Sequence, residues 1–225
     1  MAANLSKISR DNLTSKVFQQ IKEAIMSGRF QPGERLPIRS LAKKMGTSIT
    51  PVREALLKLV SFGALEMKPA HPITIPILNK ERYLENRTLR IANEGLGAAE
   101  AAKKIKKRQL NRLIKIDADM KKAAREKKFA DAIALNHLFH IELCKAAAMP
   151  VLLEIVEILW LRIGPSLNML NLPIIKHYPK TKSSFHKQII EALKNRDSDA
   201  AKAAMEQDLI QGGATLLAYF DSQTS

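Results

Sequence analysis

The chain has 225 residues, enough for one large domain or two modest ones, and its 46% hydrophobic residues suffice for a packed core. Aromatics are only 5% and the formal net charge is +15, a balance that favours helix over sheet and points to a polyanionic partner, nucleic acid before an anionic membrane surface. The lone cysteine, Cys144, excludes a disulfide framework and a cysteine-built zinc site, and it reads as a small core residue in an apolar run. Residues 12–28 predict an amphipathic helix, because Leu13, Val17, Ile21 and Ile25 recur every four residues on one stripe. Gly28 ends it, and Pro32-Gly33 signals a turn. A second short helix runs from Ile38 to Met45, with Leu41, Ala42 and Met45 inward, and Gly46 breaks it. A third starts with Ser48 or Thr50 as cap and Pro51 in its first turn, where a missing N–H costs little. Val52, Ala55, Leu56 and Leu59 form its buried face, and Gly63 stops it. The period then changes: residues 64–68 and 73–75 read as two short strands around a proline-rich tip, Pro69-Ala70-His71-Pro72.

Three helices, a short helix–turn–helix interval and a hairpin make a winged helix-turn-helix, placed at residues 1–78. From residue 79 onward the pattern is helical, with helices near 79–102, 107–126, 128–147, 150–171, 180–195 and 197–220. Asp197-Ser198-Asp199 is a turn and cap before the last, and Pro173 and Pro179 bracket a loop. The fold class is therefore mainly α, with a second domain at 79–225 that is an antiparallel all-α bundle. The first part carries 12 basic against 5 acidic residues and the second 25 against 17. The densest basic run, Lys103 to Lys128, reads as a solvated helical face. No N-terminal signal-peptide pattern is present, and the apolar run from Val151 to Leu161 carries Glu154 and Glu157 and is too short to span a bilayer. A cytoplasmic protein with no membrane partner is expected.

The first part resembles the winged helix-turn-helix of the GntR family of regulators. The likeness is carried by Pro32-Gly33-Glu34-Arg35-Leu36, Leu41-Ala42, the run from Gly46 to Leu56 with its TPVREAL core, and Phe62-Gly63-Ala64-Leu65. The second part resembles, more loosely, the helical FCD ligand domain of the FadR-type branch. The resemblance implies a ligand-responsive transcriptional regulator, a repressor rather than an enzyme. It would bind a two-fold double-stranded DNA operator as a homodimer. Three positions depart from the family pattern: Ile49 stands where Arg is usual, Ile38 where Glu is usual, and Pro72 at the wing-tip position that normally carries Gly.

Within the winged helix, Arg53 sits at the start of the recognition helix, and its planar fork suits guanine O6 and N7. The alternative is an intramolecular pair with Glu54 or Glu34. The resemblance carries Arg39 over as a further contact. Ser48 and Thr50 are short donors suited to phosphate. Ile49 offers only an apolar contact, such as a thymine methyl, or else belongs to the core. His71 on the wing either enters the minor groove or is a solvated tip residue.

The chain has five histidines, His71, His137, His140, His177 and His186. In the FCD resemblance an acid four residues before a histidine, together with two later histidines, holds a metal ion. Here those positions are Asn136, His140, His186 and Asp208, an N₂O₂ set suited to zinc, nickel, manganese or iron(II). The alternative is a metal-free polar pocket in which the same four residues bond an organic effector. His137 points off that helix face and is left out. Arg90 matches a family arginine near the pocket; it either grips the carboxylate of a small effector or forms a surface salt bridge with Glu94. Two other functions compete. One is a metal-dependent enzyme using His140, His186 and Asp208, disfavoured because no nucleophile motif or positioned general base is visible. The other is a nonspecific nucleic-acid protein using the Lys103–Lys128 run.

Overall fold

A computed structural model describes residues 12–167 and 182–223. Pro173, His177, Pro179 and the last residues of the helix expected at 150–171 lie outside the described residues. Three helices come first: α1 (Asn12–Met26), α2 (Ile38–Lys44) and α3 (Ile49–Ser61). Seven follow: α4 (Lys80–Lys104), α5 (Lys107–Arg125), α6 (Phe129–Ala146), α7 (Pro150–Leu167), α8 (Lys182–Lys194), α9 (Ser198–Gly212) and α10 (Ala214–Gln223).

Burial of the apolar stripes holds the N-terminal part together. Val17, Ile21 and Ile25 of α1 are buried, whereas Leu13 is exposed, so the working stripe begins one turn later than its period suggests. The expected face of α3 is fully enclosed, with Val52, Ala55, Leu56 and Leu59 each at 0% exposure. Ser48 is the N-cap of α3 but makes no side-chain cap bond, and Thr50 lies inside the helix.

The wing differs from the expected pair of strands. Glu66 and Thr74 exchange two backbone bonds of 2.9 and 3.0 Å, and the pairing stays at isolated bridges among the described residues. Proline supplies no N–H, so Pro69 and Pro72 keep the ladder from lengthening toward the tip. A third segment compensates: Gly33 N donates to Ile75 O, Leu36 N to Ile73 O and Ile75 N to Glu34 O. The left-handed residue at the tip is Ala70, with φ of 60°, and not Pro72, whose ring forbids a positive φ. An L-residue in that region costs about 1–2 kcal/mol.

In the bundle, α4 packs along α9 and against α6 and α7, α5 pairs with α6, and α8 with α9. Asn79 caps α4 by accepting from Arg82 N, and Asp197 caps α9 by accepting from Ala200 N. The last helix, expected as one piece over 197–220, breaks at Gly213. A side chain there would collide with the Tyr83 hydroxyl, and consecutive glycines weaken a helix. Tyr83 in turn packs its ring against Phe220 of α10, 5.7 Å away.

The two parts share one apolar cluster. Val17, Ile21 and Ile25 of α1 belong to the same core as Val156, Trp160, Leu161 and Ile163 of α7. The backbones come close at Gly164, where a Cβ would lie 2.5 Å from the Ile25 carbonyl oxygen. Around it, Lys22 Nζ pairs with Glu157 Oε2 at 2.5 Å, and Arg162 Nε donates to Phe62 O at 3.1 Å. Cys144 is buried in this cluster, and burial pushes its thiol pKa up.

Candidate functional site

Arg39, Ser48, Ile49, Thr50, Arg53 and His71 are all exposed. Arg39, Ile49, Arg53 and His71 line a single groove of about 520 Å³ between α2, α3 and the wing. The acids weighed against Arg53 are engaged elsewhere: Glu54 Oε2 accepts from Thr14 Oγ1 at 2.9 Å, and Glu34 Oε2 accepts from Gln31 N at 2.8 Å. Ile49 is 40% exposed and does not serve the core. Several cations of the basic run from Lys103 to Lys128 pair with neighbouring acids, although the run keeps an excess of positive charge. Lys103 and Lys104 reach Glu100, Arg112 reaches Glu142, Lys115 reaches Asp119, and Lys122 and Lys128 reach Glu126.

The second site lies inside the bundle. Arg90 and Glu94 come one turn apart on α4, Asp117 from α5, Asn136 and His140 from α6, Trp160 from α7, His186 from α8 and Asp208 from α9. All are buried: Glu94 and His186 at 0% exposure, His140 at 1% and Asp208 at 2%. His140, His186 and Asp208 offer ligand atoms that all lie within 4.8 Å of one another. His140 Nε2 is 3.3 Å from Asp208 Oδ2, and His186 Nε2 is 3.8 Å from Asp208 Oδ1. Asn136, one turn before His140, is buried, and its Oδ1 has no hydrogen-bond partner among the described residues.

Two carboxylates that the motif reading missed stand behind the imidazoles. His140 Nδ1 donates to Glu94 Oε2 at 2.6 Å, and His186 Nδ1 faces Asp117 Oδ1 at 3.4 Å. Asp117 also holds Lys121 at 2.6 Å. A carboxylate at Nδ1 orients the ring and leaves Nε2 for a ligand, the arrangement that supports histidine–metal bonds. Asp117 carried one signal in the sequence: it is an acid beside the apolar stripe of Leu113, Ile116 and Met120. The Phe139 ring stacks on His186 at 3.9 Å and holds it in plane.

Arg90 forms neither a surface pair nor a free clamp. Its Nε donates to Glu94 Oε1 at 2.6 Å inside the bundle, and its guanidinium lies 3.8 Å from the Trp160 ring centre. Nη2 is buried without a hydrogen-bond partner among the described residues. His137 stays outside the donor cluster, edge-on to Trp160 at 4.9 Å.

Charge and burial oppose each other here. Burial raises the Glu94 pKa, but Arg90 and His140 outweigh it and hold the carboxyl at about 2. Burial lowers the His140 pKa, but Glu94 and Asp208 on either side override it and raise it. Burial prevails at His186, whose pKa falls despite Asp117. His137 is driven down to about 3 by burial and by the nearby His140. The His186 imidazole is thus biased toward its neutral form, and His140, flanked by two carboxylates, toward its protonated form. His140, His186 and Asp208 would hold a divalent cation, whose charge would take the place of a proton on His140. The donor set, with the orphaned Asn136 oxygen, fits a zinc-, nickel- or manganese-sized ion.

Residues 13–75 match the family described as bacterial regulatory proteins, gntR family, and residues 87–211 match the FCD domain. The HTH-type transcriptional regulator McbR of Escherichia coli K12 is 30% identical over 215 residues, 96% of this chain and 97% of that protein. The HTH-type regulator YdhC of Bacillus subtilis 168 is 29% identical over 189 residues, 82% of each. The solved structure of E. coli McbR/YncC superposes with a TM-score of 0.86 over 96% of this chain and all of that one. A GntR regulator structure from Rhodococcus sp. RHA1, 19% identical, shares the fold at a TM-score of 0.75 over 91% of this chain and 97% of its own. Among the described residues, no helix is long and apolar enough to cross a membrane. These relatives are regulators and not enzymes, and the chain belongs to the GntR family of DNA-binding transcriptional regulators, in its FadR-type branch with an FCD domain.

Proposed function

We propose that this regulator is a cytoplasmic repressor that binds a two-fold operator as a homodimer and releases it in response to a small carboxylated effector. Residues 1–78 hold the DNA contacts, and residues 79–225 sense the effector and dimerise. The observation that carries the reading is the buried cluster of ionisable groups, which folding alone does not call for, one helix away from the DNA-binding part. Trp160 of α7 touches both His140 and Arg90, and Gly164, one turn on, lies against Ile25 of α1. A change in the pocket that shifts α7 therefore moves the winged helix, and an effector that prefers one arrangement biases the other.

His140, His186 and Asp208, with Asn136 as fourth ligand, would hold the metal. Such an ion supplies a Lewis-acidic anchor for the effector's carboxylate. Arg90 adds the N–H groups of Nη2, which have no partner among the described residues, while Glu94 occupies Nε. For the dimer, Leu89 and Leu96 on α4 and Val151 and Ile155 on α7 are large, apolar and exposed on two helices that pack together. A metal-free organic pocket is the second reading, favoured by Glu94 and Asp208, which flank His140 at 2.6 and 3.3 Å and raise its pKa.

The test begins with the full chain and a random duplex pool. A specific two-fold operator should emerge, and Arg53→Ala should weaken it by about 1–3 kcal/mol, the worth of a bidentate base contact. Equal binding to every duplex would favour the nonspecific reading. Light scattering should show a dimer that Leu89→Glu with Leu96→Glu disrupts. Soaking with zinc, nickel or manganese should raise the melting temperature and leave bound metal, because a ligand of the folded state stabilises it by mass action. No shift with any ion would leave the organic pocket.

A further inference from the structure

Three large apolar side chains stand in water on the DNA-facing surface. Ile49 opens α3, Leu57 lies two turns further along the same helix, and Met67 comes from the wing. They are 40%, 41% and 53% exposed, and all three line the groove that also holds Arg39, Arg53 and His71. Single exposed aliphatics need no explanation. Three that converge on one groove, among cations and with no acid in its lining, call for a partner that is anionic outside and apolar at defined points. Duplex DNA has that chemistry: its phosphates are anionic, and the C5-methyl of thymine is the apolar group that its major groove offers.

We infer that Ile49, with Leu57 and Met67 extending the same surface, reads thymine methyls beside the guanine that Arg53 reads. The inference rests on the DNA-binding role proposed above. Ile49, Arg53 and Leu57 are four residues apart in succession and share one face of α3. At about 1.5 Å rise per residue, Ile49 and Leu57 lie roughly 6 Å on either side of Arg53, about two base steps of 3.4 Å. The half-site should therefore place thymine within about two steps of that guanine. Burying one methyl is worth about 0.8 kcal/mol, or roughly fourfold in Kd.

The experiment uses the full chain and its selected operator. Each thymine is replaced in turn by uracil, which removes only the methyl. Kd is measured for the wild type, Ile49→Ala and Met67→Ala, and the guanine is located by the base preference that Arg53→Ala loses. The wild type should weaken about fourfold at one or more thymines within two steps of that guanine. Ile49→Ala should bind the intact operator less tightly and be indifferent to uracil at one of those positions. Met67→Ala should retain the Ile49 sensitivity, which separates loss of one contact from a general loss of fit. Uracil without effect at every position, or Ile49→Ala with undiminished uracil sensitivity, overturns the inference while leaving the regulator reading intact. Failure to select any operator removes both.

Discussion

Replacing Gly164 by alanine tests whether α7 and α1 meet as tightly as the shared core implies. The new Cβ would sit 2.5 Å from the Ile25 carbonyl oxygen and 3.1 Å from the Met26 Cα. An ordinary carbon–oxygen contact is about 3.4 Å, so one helix must give by roughly 1 Å. Both close atoms are backbone, so no side-chain rotation relieves the clash. Overpacking of this kind costs about 1–3 kcal/mol. Against it stands the helix preference for alanine over glycine, about 1 kcal/mol. The net loss of about 0–2 kcal/mol, at roughly 2–4 °C per kcal/mol for a chain of this size, lowers the melting temperature by up to about 8 °C. Circular dichroism melts of the two proteins in parallel, followed by operator titration, read both the stability and the displaced winged helix. The sign decides: with no contact at 164, only the propensity gain would remain and the melting temperature would rise. That rise would refute the close approach and, with it, the proposed route from pocket to DNA.

Other consequences follow from the same geometry. Ala70→Gly removes a left-handed alanine at the wing tip and should stabilise the protein by up to about 1 kcal/mol in chemical denaturation; a loss would mean that the tip does not hold φ near 60°. Glu94→Gln breaks a buried ion pair and should cost about 3 kcal/mol near neutral pH. Because the Glu94 carboxyl is held at about 2 against an ordinary 4.5, its contribution is present above pH 4.5, so the gap between wild type and variant should close as pH falls from 4.5 toward 2. A gap independent of pH over that window would show that Glu94 is not ionised in the fold. Asn136→Asp places a second carboxylate on the donor set and should tighten zinc or nickel binding in calorimetry, with affinity falling at low pH as His140 keeps its proton. Unchanged affinity would remove position 136 from the ligand set.

Much of the architecture was legible because it rests on local rules. Apolar residues at helical spacing placed the helices to within a few residues, and Asp197 announced a cap that it makes. The TPVREAL run marked α3, and the likeness to the FCD family pointed to His140, His186 and Asp208, whose donor atoms the fold brings within 4.8 Å of one another, with Asn136 buried one turn before His140. Glu94 and Asp117 were not legible as partners of those histidines, because ring orientation and burial come from packing of α4 and α5 against α6 and α8. The break at Gly213 depends on the Tyr83 hydroxyl, a neighbour only in three dimensions.

By itself, the sequence determined the order and kind of the elements, since periodicity, capping and charge act over a few residues, while the likeness to the family pointed to the buried donors. Tertiary structure alone decided that Arg90 is spent on Glu94, that the left-handed tip residue is Ala70, and that one apolar core joins the N-terminal winged helix to the C-terminal bundle through α7. Those outcomes depend on which atoms compete for the same space and the same charge once the chain has closed on itself.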